Sequence, residues 1–122
     1  MSKPLQGIDT VIVRVSSLEK SKKWYHEKLA LTSIWEDDKL KLAVLDTGGP
    51  TSLTLWATES SISIDSNTAS YPIFKTKNAA EAREALLSKG VTTGDLVQDP
   101  VVSYFWFYDP DGNVLEACQV YQ

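Results

Sequence analysis

The chain has 122 residues, of which 43% are hydrophobic, so it has the size of one domain with enough apolar material for a core. Its formal net charge is -4 and its Lys and Arg residues are scattered, which excludes the basic patch that nucleic-acid binding requires. No apolar run is long enough for a signal peptide or a membrane span, so we expect a soluble, cytoplasmic protein. The single cysteine, Cys118, excludes an intrachain disulfide, and we expect it to be a buried small apolar residue.

The first half of the chain predicts a strand, a helix and further strands. The segment DTVIVRV, residues 9–15, is rich in β-branched residues and predicts the first strand. Ser16, followed by Glu19 three residues later, has the pattern of a capping box. Apolar residues then recur at helical spacing and predict a helix over residues 18–29. Two or three strands follow, in KLKLAVLD and TSLTLWAT, on either side of a turn at GGP.

The second half repeats this order after a polar segment. Residues 59–70, ESSISIDSNTAS, are rich in Ser and poor in large apolar residues, and they predict a linker. YPIFKT then predicts a strand, and Asn78 caps a second helix that Gly90 closes. SYFWFY and NVLEACQVY predict a hairpin with the sequence DPDGN at its turn. Residue 10 falls on residue 71 at a constant offset of 61, so the chain is a structural repeat with little sequence identity.

Two segments resemble the vicinal oxygen chelate proteins, the group of glyoxalases, bleomycin resistance proteins and extradiol dioxygenases. IDTVIVRVSSLEKSKKWYHEKLALT resembles their opening, and YFWFYDPDGNVLEACQ resembles their closing hairpin. The resemblance covers essentially the whole chain. It implies an α+β fold in which two βαβββ modules form a cupped, incompletely closed mixed sheet with the helices outside. The expected domain is 1–122, with module one at about 6–58, a linker at about 59–70 and module two at about 71–122. A ferredoxin-like α+β sandwich is the second choice.

In this group four positions commonly hold a divalent metal, and here the resemblance places them at Thr10, Thr54, Tyr71 and Glu116. Only Glu116 binds metals strongly, whereas catalytic zinc and non-haem iron sites typically require three protein ligands. The single histidine, His26, is expected on the solvent-facing side of the first helix. We therefore expect no cofactor, and a divalent metal held by one carboxylate is the disfavoured alternative.

Strand parity indicates which side chains share the cup with Glu116. Alternate residues of a strand point to one face, so Trp106 is expected opposite Glu116, with Phe105 and Phe107 in the core. The same rule and the positions implied by the resemblance give a predicted ligand-binding set of Thr10, Thr54, Trp56, Tyr71, Tyr104, Trp106 and Glu116. Such a mixture of aromatic walls and a few polar groups is typical of small-molecule pockets.

These residues favour a metal-independent binding protein, similar to the bleomycin resistance branch, that forms a homodimer and holds an aromatic or cationic compound. Small molecules are the expected partners, and membranes and nucleic acids are not. The alternative is an enzyme of the same group: a metal-dependent or Glu-based lyase, isomerase or dioxygenase. Glu116 would then be a general base and Tyr71 its hydrogen-bond partner or acid, which makes these two the candidate catalytic residues. A third alternative is a cup filled by its own side chains, in a protein that acts through partners.

Overall fold

The computed structural model describes residues 3–121 and confirms the repeated β-α-β-β-β order. Module one consists of β1 (Thr10–Val15), α1 (Leu18–Leu29), β2 (Thr32–Asp37), β3 (Leu42–Asp46) and β4 (Ser52–Ala57). Module two consists of β5 (Ile73–Lys75), α2 (Ala79–Ser88), β6 (Val97–Gln98), β7 (Val102–Tyr108) and β8 (Val114–Val120). Within residues 3–121, neither helix is long and apolar enough to cross a membrane.

Each module forms its own four-stranded mixed sheet, in the orders β1-β4-β3-β2 and β5-β8-β7-β6. The pairs β1/β4 and β5/β8 are parallel, and the remaining pairs are antiparallel. The sheets are not closed, and the architecture is the α+β one that the resemblance implied. Ile12 lies opposite Thr54 in the first sheet and Ile73 lies opposite Glu116 in the second. Thr54 and Glu116 therefore occupy equivalent positions in the two modules.

Alternation along the strands gives each sheet a core face and an open face. The core face packs against the module's helix and carries the fully buried side chains, among them Val15, Leu53, Leu55, Phe105, Phe107 and Leu115. We call the opposite side the open face, and it carries Thr10, Ile12, Arg14, Thr54, Trp56, Ile73, Tyr104, Trp106, Glu116 and Cys118. The predicted core positions of Phe105 and Phe107 are confirmed.

Helix α1 covers the predicted residues, but its cap differs from the prediction. The Ser17 hydroxyl, not that of Ser16, accepts the N–H of Lys20 at 3.3 Å. The helix begins one residue later than a Ser16 cap requires, and the Ser16 N–H instead donates to Asp111 Oδ2 at 3.1 Å. The helix ends on Ala30, whose φ of 58° lies in the left-handed region that strains a residue with a Cβ.

The second module agrees with the prediction at its helix and differs at its short strands. Asn78 caps α2 by accepting the Glu81 N–H at 3.0 Å, and Gly90 follows the helix with a φ of 80°. Strand β5 is limited to three residues of YPIFKT. Strand β6 has two residues, and its sequence carries too few alternating positions for a period of two to be seen.

Two hydrogen bonds, one at α1 and one at β1, join module one to the β7–β8 turn of module two. The Tyr25 hydroxyl donates to Asp109 Oδ2 at 2.7 Å, and the Asn113 side-chain amide donates to the Arg14 carbonyl at 2.9 Å. Tyr25 is fully buried. Burial, followed by the neighbouring Asp109 charge, raises the pKa of the Tyr25 phenol far above its ordinary value. The turn predicted from DPDGN therefore also fixes one module against the other.

Candidate functional site

Glu116 is a buried carboxylate on the open face of module two. It lies on β8 opposite Trp106, as strand parity predicted, and the residue is only 7% exposed to solvent. The Trp106 indole N–H donates to Glu116 Oε1 at 2.9 Å. The other oxygen, Oε2, accepts no hydrogen bond from residues 3–121 and is not sealed from solvent. One half of this carboxylate is held in place, and the other half is free to accept a hydrogen bond.

Tyr71 lies beside this pair and contacts it through its ring. It precedes β5 by two residues, and its ring centroid is 6.1 Å from that of Trp106, with the planes at 72°. Edge-to-face packing of this kind is favourable for aromatic rings. In the described part of the chain no hydrogen bond joins the Tyr71 hydroxyl to Glu116, so the indole of Trp106 takes the place expected for Tyr71.

Thr10 and Thr54 form the corresponding part of module one. Their hydroxyl oxygens are 2.7 Å apart, and the Thr10 hydroxyl also donates to the Ser52 carbonyl at 3.2 Å. Because the Thr10 hydroxyl hydrogen is used in the bond to the Ser52 carbonyl, the Thr54 hydroxyl donates to the Thr10 oxygen. Thr54 is only 4% exposed. The two hydroxyls satisfy each other, which leaves Thr54 little capacity to bind anything else.

Arg14 and Trp56 form a stacked pair on the same face, and sequence reasoning missed the arginine. The Arg14 guanidinium carbon lies 4.2 Å from the Trp56 ring centroid, within cation–π range. The Trp56 indole N–H donates to the Leu40 carbonyl at 3.0 Å. Trp56 therefore has its polar group occupied and one ring face covered. The available signal was parity, because Arg14 lies two residues after Ile12 and four after Thr10.

Three further residues, Tyr104, Cys118 and His26, lie outside the pair formed by Glu116 and Trp106. Tyr104 lies opposite Cys118 in the register, on the same-face pair next to that of Trp106 and Glu116. Cys118 is half-buried rather than fully buried, because it faces away from the helix layer. Burial, with a smaller contribution from Glu116, raises the pKa of its thiol. His26 is solvent-exposed on α1, as predicted.

The donor groups at the four positions implied by the resemblance do not fit a zinc or iron site. They are two hydroxyls bonded to each other, one phenol and one carboxylate, whereas such metals typically require three His, Cys, Asp or Glu ligands. Across residues 3–121, no three side chains of these types are grouped closely enough to hold a metal ion. No chemical step through a metal follows from these residues.

Comparison with known families identifies the fold. Residues 7–117 match the family model of the Glyoxalase/Bleomycin resistance protein/Dioxygenase superfamily. The chain belongs to this superfamily. The match extends from before β1 into β8, which confirms the resemblance found in the opening strand and helix and in the closing hairpin. Among curated proteins, none matches the sequence.

Solved structures share this fold over nearly the whole chain. An integron cassette protein from the mobile metagenome of Halifax Harbour Sewage Outfall has a TM-score of 0.80 and 24% identity, covering 95% of this chain and 100% of its own. TnmS3, an antibiotic binding protein from Streptomyces sp. CB03234, has a TM-score of 0.78 and 21% identity, covering 98% and 100%. FosX, a fosfomycin resistance protein from Listeria monocytogenes, has a TM-score of 0.78 and 15% identity, covering 96% and 95%. At these identities the likeness is one of fold.

Proposed function

We propose that this member of the superfamily is a small-molecule-binding protein without a resident metal, and that it binds a flat, cationic compound at Glu116. The observation that carries the proposal is the state of the carboxylate. Oε1 of Glu116 is fixed by the Trp106 indole, while Oε2 has no partner among the described residues. A ligand N–H or cationic nitrogen supplies the missing partner.

The energetics favour a cationic ligand over a neutral one. A buried carboxylate without an opposite charge loses hydration and is costly, and a cation bound against it offsets that cost. No lysine or arginine within residues 3–121 forms a salt bridge with Glu116. The rings of Trp106 and Tyr71 provide aromatic surface beside it, on which a flat cation gains cation–π energy as well.

One of the similar structures supports binding as the activity, because TnmS3 is an antibiotic binding protein. FosX is a fosfomycin resistance protein, so a second protein of this fold is also connected with a small antibiotic. We extend small-molecule binding to this chain as part of the proposal. Across residues 3–121, Glu116 belongs to no group of three metal-ligating side chains, which supports holding a ligand better than transforming one through a metal.

We also propose that the protein acts as a homodimer in which a second copy covers part of the open face. Ile12 on β1 and Ile73 on β5 are equivalent residues of the two modules, and they are 51% and 57% exposed. Exposed apolar side chains on an edge strand of each sheet favour burial against another protein surface. Analytical ultracentrifugation tests this, and a monomer at all concentrations would contradict it.

The test of ligand binding compares cationic aromatic compounds with neutral analogues of the same shape. We expect acridinium-type and quaternary anilinium compounds to raise the melting temperature, and Glu116→Gln to weaken their binding about 10- to 100-fold by calorimetry. Glu84→Gln is the matched control, because this glutamate lies on the exposed surface of α2. Its affinity should equal that of the unmodified protein.

The same purified protein is used to test the alternative that the chain is a metal-dependent enzyme. Elemental analysis of the purified protein should give no stoichiometric divalent metal. A metal present at one per chain and lost in Glu116→Gln would contradict the proposal and favour a metal-dependent lyase, isomerase or dioxygenase. Stabilisation by divalent metals, with no response to aromatic cations, would lead to the same conclusion.

A further inference from the structure

We propose that the groove between β1 and the linker is a second ligand site, which binds a small organic carboxylate through Arg14. The groove has a volume of about 680 Å³, and its walls are β1, the linker that follows β4, Tyr71 and the start of β8. Neither Glu116 nor Trp106 lines it. It adjoins the site proposed above and shares Tyr71 with it, but Arg14 and the linker belong to the groove alone.

Arg14 is held rigidly by groups that carry no negative charge. Its Nε donates to the Trp56 carbonyl at 3.0 Å, and its Nη2 donates to the Ala57 carbonyl at 3.2 Å. The Trp56 ring covers one side of the guanidinium. A side chain fixed before the ligand arrives loses less entropy on binding than a free one.

The contacts of Arg14 leave one edge of the guanidinium unused. The two carbonyls take the side-on edge, made of Nε and Nη2, and the end-on edge, made of Nη1 and Nη2, accepts no partner from residues 3–121. No carboxylate in the described chain lies within salt-bridge distance of Arg14. Two parallel N–H groups in a plane match the two oxygens of a carboxylate.

The other lining residues define the rest of the ligand. Val11, Ile62 and Val114 provide apolar surface, and Ser61, Ser63 and Tyr71 provide hydroxyls. Within residues 3–121, Arg14 is the one charged residue that lines the groove, in a chain whose net charge is -4. A single planar cation, with no second positive group, suits a monoanionic carboxylate on an apolar body better than a phosphate dianion.

The experiment uses benzoate as the probe and benzamide and benzylammonium as its neutral and cationic counterparts. We expect benzoate, and not the other two, to shift amide NMR signals of β1 and of residues 60–64. Arg14→Gln should weaken benzoate binding about 10- to 100-fold, and Arg14→Lys, which keeps the charge without the planar fork, should weaken it less. The melting temperature of each variant shows that it is folded.

Lys75→Gln is the matched control, because Lys75 pairs with Cys118 on β5 and β8 as Arg14 pairs with Trp56 on β1 and β4. Benzoate affinity unchanged in Lys75→Gln and in Glu116→Gln supports a site at Arg14 separate from Glu116. Equal binding of benzoate and benzamide, equal losses in Arg14→Gln and Lys75→Gln, or no loss in Arg14→Gln would each overturn the proposal. If cationic compounds do not bind at Glu116, benzoate can still bind at Arg14, so each proposal can be contradicted without the other.

Discussion

The two modules share a backbone plan but carry different side chains at equivalent positions of their open faces. Thr54 in module one corresponds to Glu116 in module two, since each lies opposite an isoleucine of the parallel neighbour strand. Arg14 and Trp56 likewise correspond to Lys75 and Cys118. Module one therefore presents a fixed cation and satisfied hydroxyls, and module two presents a carboxylate with one free oxygen. A duplicated fold can thus keep its strand order and pairing while the side chains on its open faces diverge.

The largest effect on stability is expected where the modules meet. Tyr25→Phe removes the hydroxyl that donates to the buried carboxylate of Asp109, which should lower the free energy of unfolding at pH 7 by about 3 kcal/mol. Urea denaturation followed by fluorescence measures this. A loss below about 0.5 kcal/mol would show that the bond does not hold the modules together.

The same variant has a predicted signature in alkali. Because the pKa of Tyr25 is raised in the folded protein above its ordinary 10.0, folding favours the neutral phenol. The contribution of the Tyr25 phenol to the free energy of unfolding is complete below pH 10. It falls by about 1.4 kcal/mol per pH unit as the pH rises further. The difference between the unmodified protein and Tyr25→Phe should therefore shrink above pH 10. A constant difference in urea titrations from pH 7 to 11 would contradict this.

The two indole hydrogen bonds offer a direct comparison of the open faces. Trp106→Phe removes a donor to a carboxylate and should cost about 2 kcal/mol, whereas Trp56→Phe removes a donor to the Leu40 carbonyl and should cost about 1 kcal/mol. Thermal and urea unfolding of both variants measure the difference. Equal costs would mean that the carboxylate does not strengthen its bond.

The hydroxyl pair of module one should behave as a unit. Thr10→Val leaves the buried Thr54 hydroxyl without its acceptor and should cost about 1 kcal/mol. Adding Thr54→Val removes the hydroxyl that has lost its partner, so the double variant should be about as stable as Thr10→Val alone. A double-mutant cycle by urea denaturation measures the coupling, and additive losses would contradict it.

The smallest expected effect compares the two helix ends. Helix α1 ends on Ala30 at a φ of 58°, and α2 is followed by Gly90 at 80°. Ala30→Gly should raise the free energy of unfolding by about 0.5 kcal/mol because glycine adopts this conformation without strain, and Gly90→Ala should lower it by about 1 kcal/mol. Melting temperatures that change in the same direction in both variants would contradict this reasoning.

Sequence reasoning predicted much of the fold because period and parity are local properties. The alternation of SYFWFY and NVLEACQ was enough to place Trp106 opposite Glu116, and Asn78 was enough to begin α2. It failed where tertiary contacts decide. The capping-box pattern pointed to Ser16, but Ser17 caps the helix while the Ser16 N–H donates to Asp111, far along the chain.

The candidate site was predictable in position and less so in its bonds. Parity placed Glu116 and its aromatic neighbours on one face, but side-chain rotamers determine that the indole of Trp106, and not the hydroxyl of Tyr71, reaches the carboxylate. Arg14 was missed because it contacts the Trp56 ring and two backbone carbonyls, and no sequence pattern predicts such contacts. A charged residue at an open-face position of a strand was the one signal available.

The bond between Tyr25 and Asp109 has a consequence for how the chain assembles. It joins residues 84 positions apart, whereas Thr10 and Thr54 within one module are 44 apart. Contacts that close longer loops cost more chain entropy and tend to form later, so each module should gather its own strands before the two join. Removing the Tyr25 hydroxyl should then accelerate unfolding in stopped-flow experiments and leave the folding rate nearly unchanged. This bond governs how long the folded protein lasts rather than how quickly it forms.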